Sequence, residues 1–254
     1  MYMNFNFFFV PFFYFIKTRA KSDIKVISWV LIYIFPIFIF DFIYNHQLSF
    51  KSILISAFIY TLYEIGYIYN DTETIKKEKK PTIRLREESF SFYEGNKVVI
   101  YFSRLIIAIL LNVFYVYLYN DLNINYIWFI LPVFFVYNLT RSRFNLILHF
   151  FLVILRYSLP FYIFTNDIYS ILFSCFLFPI INLIERCSEQ RFNISNFQKF
   201  ILSNKKNGRY IYYFIVFIVF LFLHLQFKFI DISYVLIAFY YFLFRYLSYT
   251  FVNS

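Results

Sequence analysis

Glycine is almost missing from this chain, with three residues in 254, at Gly66, Gly95 and Gly208. Transporters with paired broken helices carry Gly or Pro interruptions at matching places in two halves. Neither those interruptions nor an inverted repeat is found here, so that architecture is not expected. Cysteine is scarcer still: Cys175 and Cys187 show no Cys-x-x-Cys or Cys/His spacing and read as small buried or interfacial thiols. Three scattered histidines, His46, His149 and His224, argue against an imidazole metal site. Charge is also sparse, at 15% of residues, and it is clustered, which leaves long charge-free runs.

What fills those runs is apolar. Hydrophobic residues make up 61% of the chain and aromatics 27%, whereas a soluble domain runs near half apolar. A spanning helix needs roughly 17–25 mostly apolar residues, and several stretches qualify. No water-soluble core could bury all of them. The 41 Phe and 26 Tyr fit an AT-rich coding sequence and carry little functional weight alone.

Eight spans are predicted, at 26–44, 49–69, 98–119, 123–139, 144–164, 168–184, 210–228 and 231–251. The fourth is the weakest, because Asn123 and Asn125 interrupt its start. With no water in the bilayer core, each must be a helix. The fold class is therefore an all-α, polytopic transmembrane bundle. Residues 5–16 (FNFFFVPFFYFI) are too short to span, lack a preceding positive charge and are followed by no small-residue cleavage site. They read as an interfacial helix rather than a signal peptide. Residues 1–25 thus form an interfacial and basic segment, and 26–254 the transmembrane domain.

The loops alternate sharply in charge. Of the 24 Lys and Arg, nineteen lie in the N-terminal segment (Lys17, Arg19, Lys21, Lys25) or in the connections after spans two, four and six. The positive-inside rule places these in the cytoplasm, with both termini inside. Topology then explains the formal net charge of +10, and no nucleic-acid partner is implied. The opposite connections are minimal, so the working surface is expected on the cytoplasmic side. Within the spans, Arg104 is expected to snorkel to the interface. Arg156 and Arg245 are expected to pair with a carboxylate or with a polar group such as Asn112.

Three cytoplasmic constellations carry chemistry. The first is Glu64-x-x-Tyr67-x-x-Asn70-Asp71-x-Glu73, continuing to Glu78 and Arg84. On a helix Glu64, Asp71 and Glu78 share one face, and an oxygen-rich face suits Mg²⁺. Lys77 and Arg84 can neutralise phosphate charge. The bland alternative is a solvated loop whose acids balance its bases. The second is Asn182 to Asn193, where Glu185 and Glu189 line a helical face below the sixth span and Lys199 follows. The third is Tyr137-Asn138-Leu139-Thr140-Arg141-Ser142-Arg143, whose arginines could clamp phosphate oxygens or simply set orientation.

Together these residues resemble the UbiA-type intramembrane prenyltransferase family. That family carries Asn-Asp-x-x-Asp-x-x-x-Asp after its second helix, a Tyr with basic residues after its fourth, and a second acidic motif after its sixth. The similar elements here are Asn70-Asp71-x-x-Thr74-x-x-x-Glu78, Tyr137 with Arg141 and Arg143, and Glu185-x-x-x-Glu189. The chain departs from the family at Thr74, which stands where the family has Asp, and in the Glu at 78, 185 and 189. It also has eight predicted helices where members usually have nine. The resemblance implies a bundle around a central cavity, with Mg²⁺ held by Asn70, Asp71, Glu78, Glu185 and Glu189. It implies catalytic roles for Asp71, Glu64 and Arg141. Asn70, Lys77, Arg84, Tyr137, Arg143 and Lys199 would contact substrate. The implied reaction moves a prenyl group from a prenyl diphosphate to a lipid-phase acceptor. Phosphoribosyl transfer from a sugar diphosphate to polyprenyl phosphate, as in one branch of the family, stays open, as does a non-catalytic lipid-binding role.

Overall fold

An apolar run without water partners has to close its own backbone hydrogen bonds, and here it does so as helix throughout. The structure, a computed structural model, describes residues 5–46, 49–78, 81–140, 142–189, 192 and 194–253, with backbone alone at 195–207 and 251–253. The α-helices are α1 (Phe13–Thr18), α2 (Asp23–Trp29), α3 (Phe35–Asn45), α4 (Phe50–Tyr69), α5 (Glu87–Tyr119) and α6 (Ile130–Leu139). They continue with α7 (Phe144–Tyr157), α8 (Leu159–Thr165), α9 (Tyr169–Leu177), α10 (Pro179–Cys187), α11 (Ser195–Phe227) and α12 (Ile232–Asn253). No strand occurs among the described residues.

Among the described residues, seven helices are long and apolar enough to cross a membrane: Asp23–Asn45, Phe50–Lys77, Glu87–Tyr119, Leu122–Leu139, Phe144–Thr165, Gly208–Phe227 and Ile232–Thr250. The α9–α10 pair supplies an eighth if it counts as one span, bent by 49°. Pro179 opens α10, and a proline lacks the N–H that would continue the ladder from α9. The chain is thus a multi-pass helical membrane protein. The weak start of the fourth span becomes a 3₁₀ stretch, Leu122–Phe129, capped where the Asp121 side chain accepts from the Asn123 N–H. With glycine so rare, other residues make the left-handed turns that end helices. Asn120, Asn166 and Lys228 hold φ of 48°, 55° and 50° after α5, α8 and α11. Asparagine is the best substitute for glycine in that conformation.

The chain divides into two compact units, residues 1–34 with 49–142 and residues 35–48 with 143–254. In the first, α4 is the axis, packed on α5 and α6, and it buries most of its surface. Gly66 is needed there for close approach, since a Cβ at that position would lie 2.3 Å from the ring of Phe134. In the second unit α11 and α12 pair along their lengths, while α3 packs on α8 and α12 and α7 packs on α10.

The N-terminal segment differs from the interfacial helix expected of it. A 3₁₀ turn (Asn6–Phe8) and α1 fold back on each other through Pro11–Phe12, with Phe12 at φ 71°. Phe8 and Tyr14 are completely buried, in one cluster with Ile68, Leu85, Tyr93 and Ile100. Aromatic stacking holds the fold-back in place, with the Phe5 and Phe92 rings 4.2 Å apart. The segment is therefore part of the first unit's core.

Candidate functional site

The site starts where α4 stops being regular. After Tyr69 the backbone widens into a π turn over Asn70–Thr74, then tightens into a 3₁₀ turn over Ile75–Lys77 and leaves in an extended conformation at Glu78. Such π turns recur at functional positions. The heptad face expected for Glu64, Asp71 and Glu78 therefore holds for the first two, which are buried. It ends before Glu78, which lies beyond the helix.

Asp71 is fully buried and surrounded by donors. Its Oδ2 accepts from the Tyr14 hydroxyl at 3.1 Å and from Arg19 Nη1 at 2.7 Å. Its Oδ1 accepts from Arg19 Nη2 at 3.0 Å, Arg84 Nη1 at 3.0 Å and Asn70 Nδ2 at 3.3 Å. The Arg19 guanidinium also lies 3.8 Å from the Tyr67 ring centroid, a cation–π geometry. Burial works against charge on Arg19, but the Asp71 carboxylate together with the Tyr67 and Tyr14 phenols outweighs it and raises its pKa. Burial, and then Asp71, push the Tyr14 phenol well above its usual range, so it stays neutral and donates. Two arginines on one carboxylate leave the cluster with a positive charge.

Arg84 faces two ways. Besides holding Asp71 it lines a cavity of about 780 Å³ with Phe5, Phe7, Ile16, Lys17, Thr18, Ala20, Lys21, Ser22, Asp23, Val26, Leu85, Arg86 and Ser89. Four of these side chains are cationic (Lys17, Lys21, Arg84, Arg86) and one is anionic (Asp23). The remainder mixes apolar groups with small hydroxyls. A concave, partly apolar wall with a few convergent charges is the usual form of a site for an amphiphilic ligand. Leu85 is buried against Phe7 and Phe8, which anchors the arginines on either side of it.

Glu64 does not reach this cavity. Its Oε2 pairs with Arg104 Nη1 at 2.7 Å, with both side chains wholly buried, and its Oε1 accepts from the Phe15 N–H at 2.7 Å. Arg104 therefore does not snorkel as expected. Its Nε donates to the Phe8 carbonyl at 2.8 Å, and Nη2 donates to the carbonyls of Phe7 and Val10 at 3.2 and 3.1 Å. Those carbonyls belong to the 3₁₀ turn and the bend after it, where no helix satisfies them. The pair is thus a structural pin between α4, α5 and the N-terminal fold-back, and the catalytic role expected of Glu64 has no geometric support. Glu73 is held by Tyr93 at 2.8 Å, Lys97 at 2.7 Å and Lys76 at 3.1 Å. Asn112 donates to Asn125 Oδ1 at 2.8 Å.

The other expected site residues are divided between the two units. In the first unit Tyr137 packs edge-on against Phe134 at 5.7 Å, and Lys77 is exposed. In the second, Glu185 forms a two-point pair with Arg209, whose Nη2 lies 2.7 Å from Oε2. Glu189 sits 3.3 Å from Arg186, and Arg143 Nε donates to the Phe192 carbonyl at 3.1 Å. Arg141 lies outside the described residues, as does the side chain of Lys199.

Mg²⁺ needs carboxylate oxygens open to the ion. Both oxygens of Asp71 already accept at least two donors each, and Glu185 is occupied by Arg209. Among the described residues no three His, Cys, Asp or Glu side chains gather as a metal-ligand group. Asp71 and Glu185 are therefore open to Mg²⁺ only if an arginine is displaced, whereas the cavity wall is net cationic. Sequence reasoning selected Arg84 but missed Tyr14, Lys17, Arg19, Lys21 and Arg86. The alternating Lys17-x-Arg19-x-Lys21 was visible, but it read as an orientation signal.

Fold and site together define a polytopic helical membrane protein with a basic, partly apolar cavity in its first unit. A scan against protein-family models, a search of curated proteins and a search of solved structures find no match to this chain.

Proposed function

We propose that this chain is a membrane transferase that seats the diphosphate of a prenyl diphosphate in the basic cavity and passes the prenyl group to a lipid-phase acceptor. The observation that carries this reading is the 780 Å³ cavity in which Lys17, Lys21, Arg84 and Arg86 outnumber Asp23. Four cations suit a headgroup of two to three negative charges, and they stabilise it further as charge builds on the leaving oxygen. Phe5, Phe7, Ile16, Val26 and Leu85 offer apolar surface to the first carbons of the chain. The carbon–oxygen bond breaks with its electron pair leaving on the diphosphate, the acceptor's lone pair forms the new bond, and the acceptor's proton passes to the departing diphosphate. The positive-inside distribution supports a cytoplasmic cavity mouth, cytoplasmic termini and a place in the cell membrane. A sugar diphosphate presents the same anion to the same cations.

A second reading, a non-catalytic protein that binds lipid phosphates, is favoured by the closed Asp71 pair with Arg19 and Arg84. One experiment separates the two. A labelled prenyl diphosphate is expected to bind the full-length protein in nanodiscs, and the double variant Lys21→Gln/Arg84→Gln to weaken it at least tenfold. The matching prenyl alcohol should not compete. Release of diphosphate in the presence of membrane lipid extract supports transfer, and binding without release supports the second reading. No binding to folded protein removes both.

A further inference from the structure

We propose that the phosphates are held without a divalent metal, by Lys17, Lys21, Arg84 and Arg86 alone, and that Asp71 opposes their binding by its hold on Arg84. This rests on the function proposed above and names the chemistry of the same site. The cavity wall carries four cations and a single carboxylate, Asp23, so its net positive charge attracts a phosphate directly and repels a divalent cation. Behind the wall Arg84 holds Asp71, which faces donors and does not line the cavity: Tyr14, Arg19, Asn70 and Arg84.

Arg84 couples the two. Its Nη1 lies 3.0 Å from Asp71 Oδ1, and its side chain is 31% exposed where that of Asp71 is 0%. A guanidinium has five N–H donors in a fixed fork, so one arginine can face a buried carboxylate and an incoming phosphate. Charge given to Asp71 is charge withheld from the ligand. Arg19 meanwhile holds Asp71 through two bonds of its own, so release of Arg84 leaves no bare carboxylate. The consequence has a sign opposite to that of a metal site. Where a carboxylate recruits diphosphate through Mg²⁺, neutralising it abolishes binding. Here, neutralising Asp71 strengthens it.

The probe is inorganic pyrophosphate, titrated calorimetrically into the full-length protein in a non-ionic detergent, with EDTA or with Mg²⁺. The expected affinity in EDTA is equal to or tighter than that in Mg²⁺. Arg84→Gln is expected to weaken it at least tenfold, and Asp71→Asn to tighten it about threefold or more, with unfolding midpoints checking that each variant is folded. The wild-type comparison needs no variant. Binding that requires Mg²⁺ and disappears in folded Asp71→Asn overturns this proposal while leaving the transferase reading intact. Tight binding in EDTA without any prenyl transfer has the reverse meaning.

Discussion

Arg104→Ala is expected to destabilise the protein by about 3–5 kcal/mol, the usual cost of breaking a buried ion pair from one side. The arginine is fully buried and serves four acceptors: Glu64 and the carbonyls of Phe7, Phe8 and Val10. Its removal strips the N-terminal fold-back of its anchor and leaves three peptide carbonyls without their donor. Glu64→Ala leaves an uncompensated buried cation and belongs in the same range. Glu64→Gln should be much milder, because an amide oxygen still accepts from Arg104 or from the Phe15 N–H. Unfolding midpoints in detergent rank the three variants. If Arg104→Ala shifts the midpoint no more than Glu64→Gln does, the pin is not structural.

Arg19→Ala is the second large effect. It removes two charge-assisted bonds from the fully buried Asp71 and the guanidinium stacked on Tyr67. Charge-assisted hydrogen bonds are the strong ones, and among the described residues the carboxylate left behind keeps Arg84 as its one cationic partner. A double-mutant cycle with Asp71→Asn isolates the coupling, expected at about 2 kcal/mol, within the span measured for residues in one network. Asp71→Asn should therefore recover part of the stability lost in Arg19→Ala. Additive losses would mean that the two side chains act independently, against the geometry.

Much of the fold was legible, because run length and charge spacing decide where a chain can cross a membrane. The eight predicted spans correspond to seven long helices and the bent α9–α10 pair. Pro179 was in plain view, but whether a proline kinks or ends a helix depends on what packs beside it. The acidic face was misread at its end. Periodicity assumes one helix type, and no local pattern announces that Asn70–Thr74 would widen into a π turn around Asp71. Arg104 was expected at the interface because its partners, Glu64 and the turn at Phe7–Val10, lie 40 and more residues away in sequence. For the same reason a twelve-residue apolar stretch, too short to span, read as a surface helix. Its folding back at Phe12 is a tertiary outcome. The cavity lysines that follow it, Lys17 and Lys21, were visible but read as orientation signals.

The most direct test of the basic cavity as the headgroup site is an experimental structure of the protein with a bound prenyl diphosphate. The account predicts the diphosphate between Lys17, Lys21, Arg84 and Arg86, with the first prenyl carbons along Phe5, Phe7 and Leu85. A headgroup bound instead through metal ions to Asp71, Glu185 or Glu189, with the cavity of Lys17 and Lys21 empty, would contradict it.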